Sequence, residues 1–249
     1  MISEIKRFIN QVKIENGGFP VGVKIIFVIF ILMFLRKIIF FRGDLFEIII
    51  SIMILIFSLL LHELGHGYAA KISGDRTAER YGRLSLNPLK HLDPLGTVLP
   101  IIMIIMGSHM FIGWAKPVPI NYSNLKNGRR GEILVAISGV LTNFLIALVS
   151  TIIFYSNISD GYFKEILLKV IIINLNLCAF NLIPISPLDG SRLVASFLDN
   201  YQKRQIFLFD RYGFLLIMVL SYFGILNRIM GIIIRGEIFL IESIARLIY

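Results

Sequence analysis

The apolar run from Leu45 to Ile72 constrains this chain more than any other stretch. It is long enough to cross a bilayer core, for which about 20 residues suffice, yet it carries His62-Glu63-Leu64-Gly65-His66 within it. An ionisable group deep in a membrane helix costs about 2.5–3.5 kcal/mol, so it needs a partner and is read first as functional. On a helix His62 and His66, four residues apart, share one face, and both imidazoles can reach a single zinc ion with Glu63 beside it. Neutral histidine is a zinc ligand, and an adjacent glutamate suits a general base. The chain has only four histidines, which weighs against two merely hydrogen-bonded side chains falling into this spacing. A three-ligand site needs one more residue from another segment.

Composition sets the surroundings. With 56% hydrophobic residues and a mean hydropathy of +0.79, the 249 residues are too apolar for a water-soluble protein. The expectation is an all-α polytopic membrane protein. The net charge of +9 comes from basic residues between the apolar runs, which fits anionic headgroups and a topology signal rather than nucleic acid. Cys178 is the sole cysteine, so an intrachain disulfide and a cysteine metal site are excluded, and a small buried hydrophobe is expected there. The N-terminal residues show no small-residue cleavage site and are read as retained.

Along the chain, spans are expected at 21–41, 45–72, 132–156, 163–182 and 206–226. The tail 227–249, interrupted by Arg235-Gly236-Glu237, is a poor sixth span or an interfacial helix, giving five to six transmembrane helices in all. Residues 73–94 are too polar to span and read as loop or short strands. Residues 95–114 are apolar but hold Gly96, Pro100, Gly107 and His109, and either cross once or dip in and return. A return places Lys71, Arg76, Arg80, Arg83, Lys116 and Arg129 on one side with the N-terminal lysines, so the positive-inside rule favours a re-entrant insertion after the histidine helix. His91 and His109 read as headgroup-level or packing residues, and Lys24 and Arg211 as snorkelling ones.

Under that topology the histidine end of the second helix and the end of the fourth face the same side. There Pro184-Ile185-Ser186-Pro187-Leu188-Asp189-Gly190 stops the helix and turns, presenting Asp189 at the membrane edge. Two histidines and a carboxylate leave a fourth zinc position open, as a catalytic site requires. The competing reading is a membrane metal-ion transporter or binding protein using the same cluster, but the helices offer no chain of polar groups across the membrane.

On His62-Glu63-Leu64-Gly65-His66 and on Asn181 through Gly190, the chain resembles the site-2 proteases, zinc-dependent intramembrane metalloproteases. The similarity covers about residues 45–200. The resemblance implies one zinc ion per chain held by His62, His66 and Asp189, with Glu63 as catalytic base and Asn181 near the site, orienting substrate or stabilising an oxyanion. It implies a cell-membrane endopeptidase acting on peptide bonds within or near transmembrane helices of protein substrates; the charge count adds the expectation of an active site near the cytoplasmic side. The whole of 1–249 is then one membrane-embedded domain with its core at 45–200 and no PDZ or CBS domain, and segments 73–94 and 95–114 are candidates for a gate or a substrate-binding edge. One departure from the family pattern is Gly139-Val140 followed by Leu141-Thr142-Asn143, where many members have Gly-Pro; the stretch is expected to alter a kink without touching a ligand.

Overall fold

The computed structural model describes residues 45–91, 117–126, 128–156 and 161–246. Among the described residues there are eight α-helices, two short 3-10 turns and no strand, so 73–91 is turn and short helix rather than strand. The expected span at 21–41, the apolar segment 95–114 and His109 lie outside the described residues.

Helix α1 (Leu45–Ile72) is 28 residues long, about 42 Å at 1.5 Å per residue, with Glu47 in its first turn and Lys71 in its last to complement the helix dipole. The short α2 (Thr77–Arg80) follows it. Helices α3 (Arg129–Tyr155) and α4 (Gly161–Leu182) are, with α1, long and apolar enough to cross a membrane. Their faces are inverted relative to a soluble protein. On α1 the large apolar Phe46, Ile49, Met53 and Phe57 are exposed at helical spacing, whereas Ser58, His62 and His66 are buried. On α3, Leu134, Leu141 and Leu145 point outward while Gly139, Asn143 and Ala147 turn inward. That pattern suits lipid outside and small or polar contacts between helices.

Those contacts fix the order of the spans. Helix α3 runs antiparallel to α1, with Gly131 beside Ser73 at one end and Gly65 against Ser138 and Thr142 further in. Helix α4 runs parallel to α1. Glu47 pairs with Lys169 and accepts from Tyr162 near the two starts, and the Asn174 amide donates to Ser58 Oγ at 2.9 Å further along. The C-terminal ends of α1 and α4 therefore lie on one side, as the motif order requires.

Pro184 and a cis Ser186–Pro187 peptide follow α4, and α5 (Asp189–Ser196) starts on Asp189 itself. Gly190 makes that start possible: a Cβ there would lie 2.6 Å from the Ile183 carbonyl oxygen. Then come α6 (Asn200–Leu208), with Asp199 and Gln202 forming a capping box, α7 (Asp210–Tyr222) and α8 (Ile225–Ala245).

The single span expected at 206–226 is not what the chain forms. It breaks at Phe209–Asp210 because the Asp210 carboxylate is drawn toward the turn after α4, accepting from Ser186 Oγ and, at 2.6 Å, from Arg192 Nη2. It breaks again at Gly224, whose φ of 69° is left-handed, and the chain bends by 88° into α8. Helix α8 then continues unbroken through Arg235-Gly236-Glu237 and packs Ile241 against Ala147 and Leu175. The described residues thus hold three candidate spans, or four if the bent pair counts as one, in a multi-pass helical membrane protein. Cys178 is buried in α4, as its composition suggested.

Candidate metal centre

Helical spacing on α1 puts both imidazoles on the buried face, and the turn after α4 delivers Asp189 to them. His62 Nε2 lies 3.1 Å from Asp189 Oδ2, His66 Nε2 lies 3.0 Å from the same oxygen, and the two Nε2 atoms are 3.1 Å apart. Both rings are buried. These separations are close to the edge of about 3.3 Å expected between donors held 2.0–2.1 Å from a tetrahedral ion. Among the described residues these three form the one cluster of histidine, cysteine and acidic side chains able to hold a metal.

The tautomer of His66 supports the fit. Its Nδ1 is 2.7 Å from the Val135 carbonyl oxygen, which can only accept, so Nδ1 carries the proton and donates. Nε2 is left with its lone pair aimed at the centre. A lone pair and a carboxylate oxygen 3.0 Å apart repel unless a cation lies between them. Two imidazoles and a carboxylate are a donor set that zinc accepts, with room for a fourth ligand.

Glu63 stands next to the cluster. The Val118 backbone N–H donates to Glu63 Oε2 at 2.9 Å, a bond that does not engage Oε1. Histidines, glutamate, Asp189 and Asn181 line one cavity of about 680 Å³ together with Pro117, Tyr122, Arg192 and Phe207. Asn181 donates its own amide to the Leu177 carbonyl at 3.0 Å. His91 is not part of the centre; it is buried in the loop, with Nε2 3.0 Å from the Ser85 carbonyl oxygen.

Two contributions escaped the sequence reading. Gly139 and Asn143, expected to stand clear of the histidines, both lie against their rings. A Cβ on Gly139 would collide with His66 Nε2 and lie 2.6 Å from His62 Cε1 and 2.7 Å from His62 Nε2, and Asn143 Nδ2 lies 3.2 Å from His62 Nδ1. The second is the segment 117–121. Pro117 and Pro119 keep the backbone extended and leave Val118 the only free N–H between them, a signal that could have marked it as a donor.

That segment is tied down by Asp75, which is fully buried. Its carboxylate accepts from the Asn121 N–H at 2.7 Å, Asn124 Nδ2 at 2.9 Å, and the Thr77 N–H at 3.0 Å and hydroxyl at 2.5 Å. Burial works against the charge, but the bonds from Asn124, Thr77 and the Asn121 and Thr77 backbone outweigh it and hold the carboxyl below the usual carboxylate range. A depressed folded pKa stabilises above the unfolded value of about 3.9, and that stability is lost as pH falls through the folded value. Asp75→Asn should therefore lower stability by about 1.5–3 kcal/mol at neutral pH. Thermal unfolding of both proteins from pH 7 to pH 2.5 should show the gap closing below about pH 4; a gap independent of pH would contradict this account.

Comparison with known proteins agrees with the site. The sequence profile of Peptidase family M50 matches residues 50–166 and 153–225. YwhC of Bacillus subtilis, a candidate zinc metalloprotease, is 36% identical over 67% of this chain and 77% of its own. Rip2 of Mycolicibacterium smegmatis, named in the same way, is 29% identical over 69% of this chain and 66% of its own. The zinc metalloprotease MJ0392 of Methanocaldococcus jannaschii is 26% identical over 74% of this chain but 44% of its own. No solved structure matches significantly. With the profile covering well over half of the chain and the donor cluster in place, the chain belongs to Peptidase family M50, the zinc metalloproteases of site-2 protease type.

Proposed function

We propose that this chain holds one zinc ion on His62 Nε2, His66 Nε2 and Asp189 Oδ2, and cleaves membrane proteins within or near their transmembrane helices on the cytoplasmic side. The observation that carries the reading is the convergence of those three atoms within 3.1 Å beside Glu63, inside a bundle whose outer face is apolar. When bound there, zinc would supply Lewis acidity toward a peptide carbonyl and toward water. Glu63 Oε1 takes the proton of the attacking water and passes it to the leaving amine, while Oε2 stays fixed on the Val118 N–H. Asn181, on the cavity wall, orients the substrate or meets the developing oxyanion. A substrate helix has its carbonyls locked in its own hydrogen bonds, so it unwinds locally before attack.

The finer topology belongs to the same reading. Residues 1–249 form a single membrane-embedded domain centred on 45–200. The three long helices, the bent pair α7–α8 as one span and the apolar run 21–41 make five spans, the lower end of the expected five to six, with residues 95–114 as a re-entrant insertion. The basic residues of 71–90 and 126–130, on the side where α1 and α4 end, support a cytoplasmic active site.

Purified protein in lipid vesicles tests the proposal. Metal analysis should find one zinc per chain, absent from His62→Ala, and chelation should abolish cleavage of a co-reconstituted single-span substrate, with added zinc restoring it. Zinc flux across the vesicle without cleavage would overturn the protease reading in favour of a transporter.

A further inference from the structure

Asn143 lies on α3 four residues beyond Gly139, opposite His62, and is fully buried. Its amide nitrogen lies 3.2 Å from His62 Nδ1, while its amide oxygen is buried without a hydrogen-bond partner among the described residues. A stranded carbonyl oxygen in an apolar bundle costs free energy comparable to a lost hydrogen bond. Rotating the amide by 180° exchanges the two atoms and sets the oxygen on the ring nitrogen.

The two orientations correspond to two tautomers of His62. With the NH₂ group on Nδ1, that nitrogen accepts, the ring proton sits on Nε2, and Nε2 donates to Asp189 Oδ2 instead of offering a lone pair. With the oxygen on Nδ1, that nitrogen carries the proton and Nε2 is free to coordinate. The second arrangement matches His66, whose Nδ1 donates to the Val135 carbonyl. Val135, Gly139 and Asn143 recur every four residues on one face of α3, so one stripe supplies an acceptor for each ring and, between them, an opening for both.

We infer that Asn143 is a positioning residue whose amide oxygen accepts the His62 Nδ1 proton and holds that ring in its zinc-binding tautomer. This rests on the proposal that His62, His66 and Asp189 bind zinc. Outer-shell partners of ligand histidines fix ring orientation, and their loss lowers metal affinity 10–100-fold in general.

The test uses the full chain in detergent, with zinc affinity measured by chelator competition and the His62 tautomer by ¹⁵N-histidine NMR of the metal-free protein, the His62 signals assigned by their loss in His62→Ala. Asn143→Leu, which removes the acceptor at similar volume, should weaken zinc binding about 10–100-fold. Asn143→Asp, which keeps an acceptor at that point, should stay within about threefold of wild type, an expectation from the retained outer-shell contact. In the wild type the His62 Nδ1 should be the protonated nitrogen. A His62 protonated at Nε2, or an Asn143→Leu protein with unaltered affinity and spectrum, overturns the inference. The wild-type spectrum decides the matter even if Asn143→Leu fails to fold. Failure of the wild type to bind zinc through His62 would instead refute the metal assignment.

Discussion

Glu63→Gln should lower the rate of peptide cleavage by about 10²–10⁴-fold, the range that a positioned general base contributes, while leaving zinc content and folding stability unchanged. The geometry separates these effects. Glu63 Oε2 already accepts the Val118 N–H at 2.9 Å, and a glutamine carbonyl oxygen can accept the same bond in the same place. What glutamine cannot do is take a proton at the other position, since an NH₂ group has no basic lone pair. The loss should therefore appear in kcat, with KM near its wild-type value. Side-by-side kinetics and metal analysis in vesicles check this. Full activity in the variant would remove Glu63 from the chemistry, and loss of zinc would show that its role is structural.

How much of this was legible in the sequence depends on which force decided each feature. The pairing of His62 with His66 is set by helical repeat alone, so a string of residues is enough to read it. Asp189 could be expected on the same side because Pro184, Pro187 and Gly190 stop the fourth helix there and the count of basic residues favours a topology that ends both helices on one face. The azimuth of α3 was a different matter. In water, an apolar stripe announces the packed face; in lipid, Leu134, Leu141 and Leu145 face outward, and the inward stripe of Val135, Gly139 and Asn143 carries no hydropathy contrast that points at the histidines. Ala136, Ser138 and Gly139 are small enough for close helix packing, but that does not say against which helix. The break at Phe209–Asp210 was hidden for a similar reason: it is imposed by Ser186 and Arg192, about 20 residues away in sequence, and nothing local to 206–226 demands it.

The second large effect follows from that hidden stripe. Gly139→Val should abolish both zinc binding and cleavage, with Gly139→Ala reducing both by at least about 100-fold, the loss that a misplacement near 1 Å brings to a reacting geometry. A Cβ at this position collides with His66 Nε2 and sits within 2.7 Å of two atoms of the His62 ring, well inside contact distance. Neither ring can simply step aside. His66 is held at its far nitrogen by the Val135 carbonyl at 2.7 Å, His62 is held near Asn143, and both sit on a helix already packed at Gly65 against Ser138. Relief has to come from separating α1 and α3, which would carry both imidazoles away from Asp189 on the turn after α4. Far-UV circular dichroism should therefore change little, since α3 remains helical and alanine favours helix over glycine, whereas zinc content should fall in parallel with activity. Valine with its second branch should go further than alanine, and a graded series of Gly139, Ala and Val in which zinc affinity stays flat would show that the rings do not abut this helix.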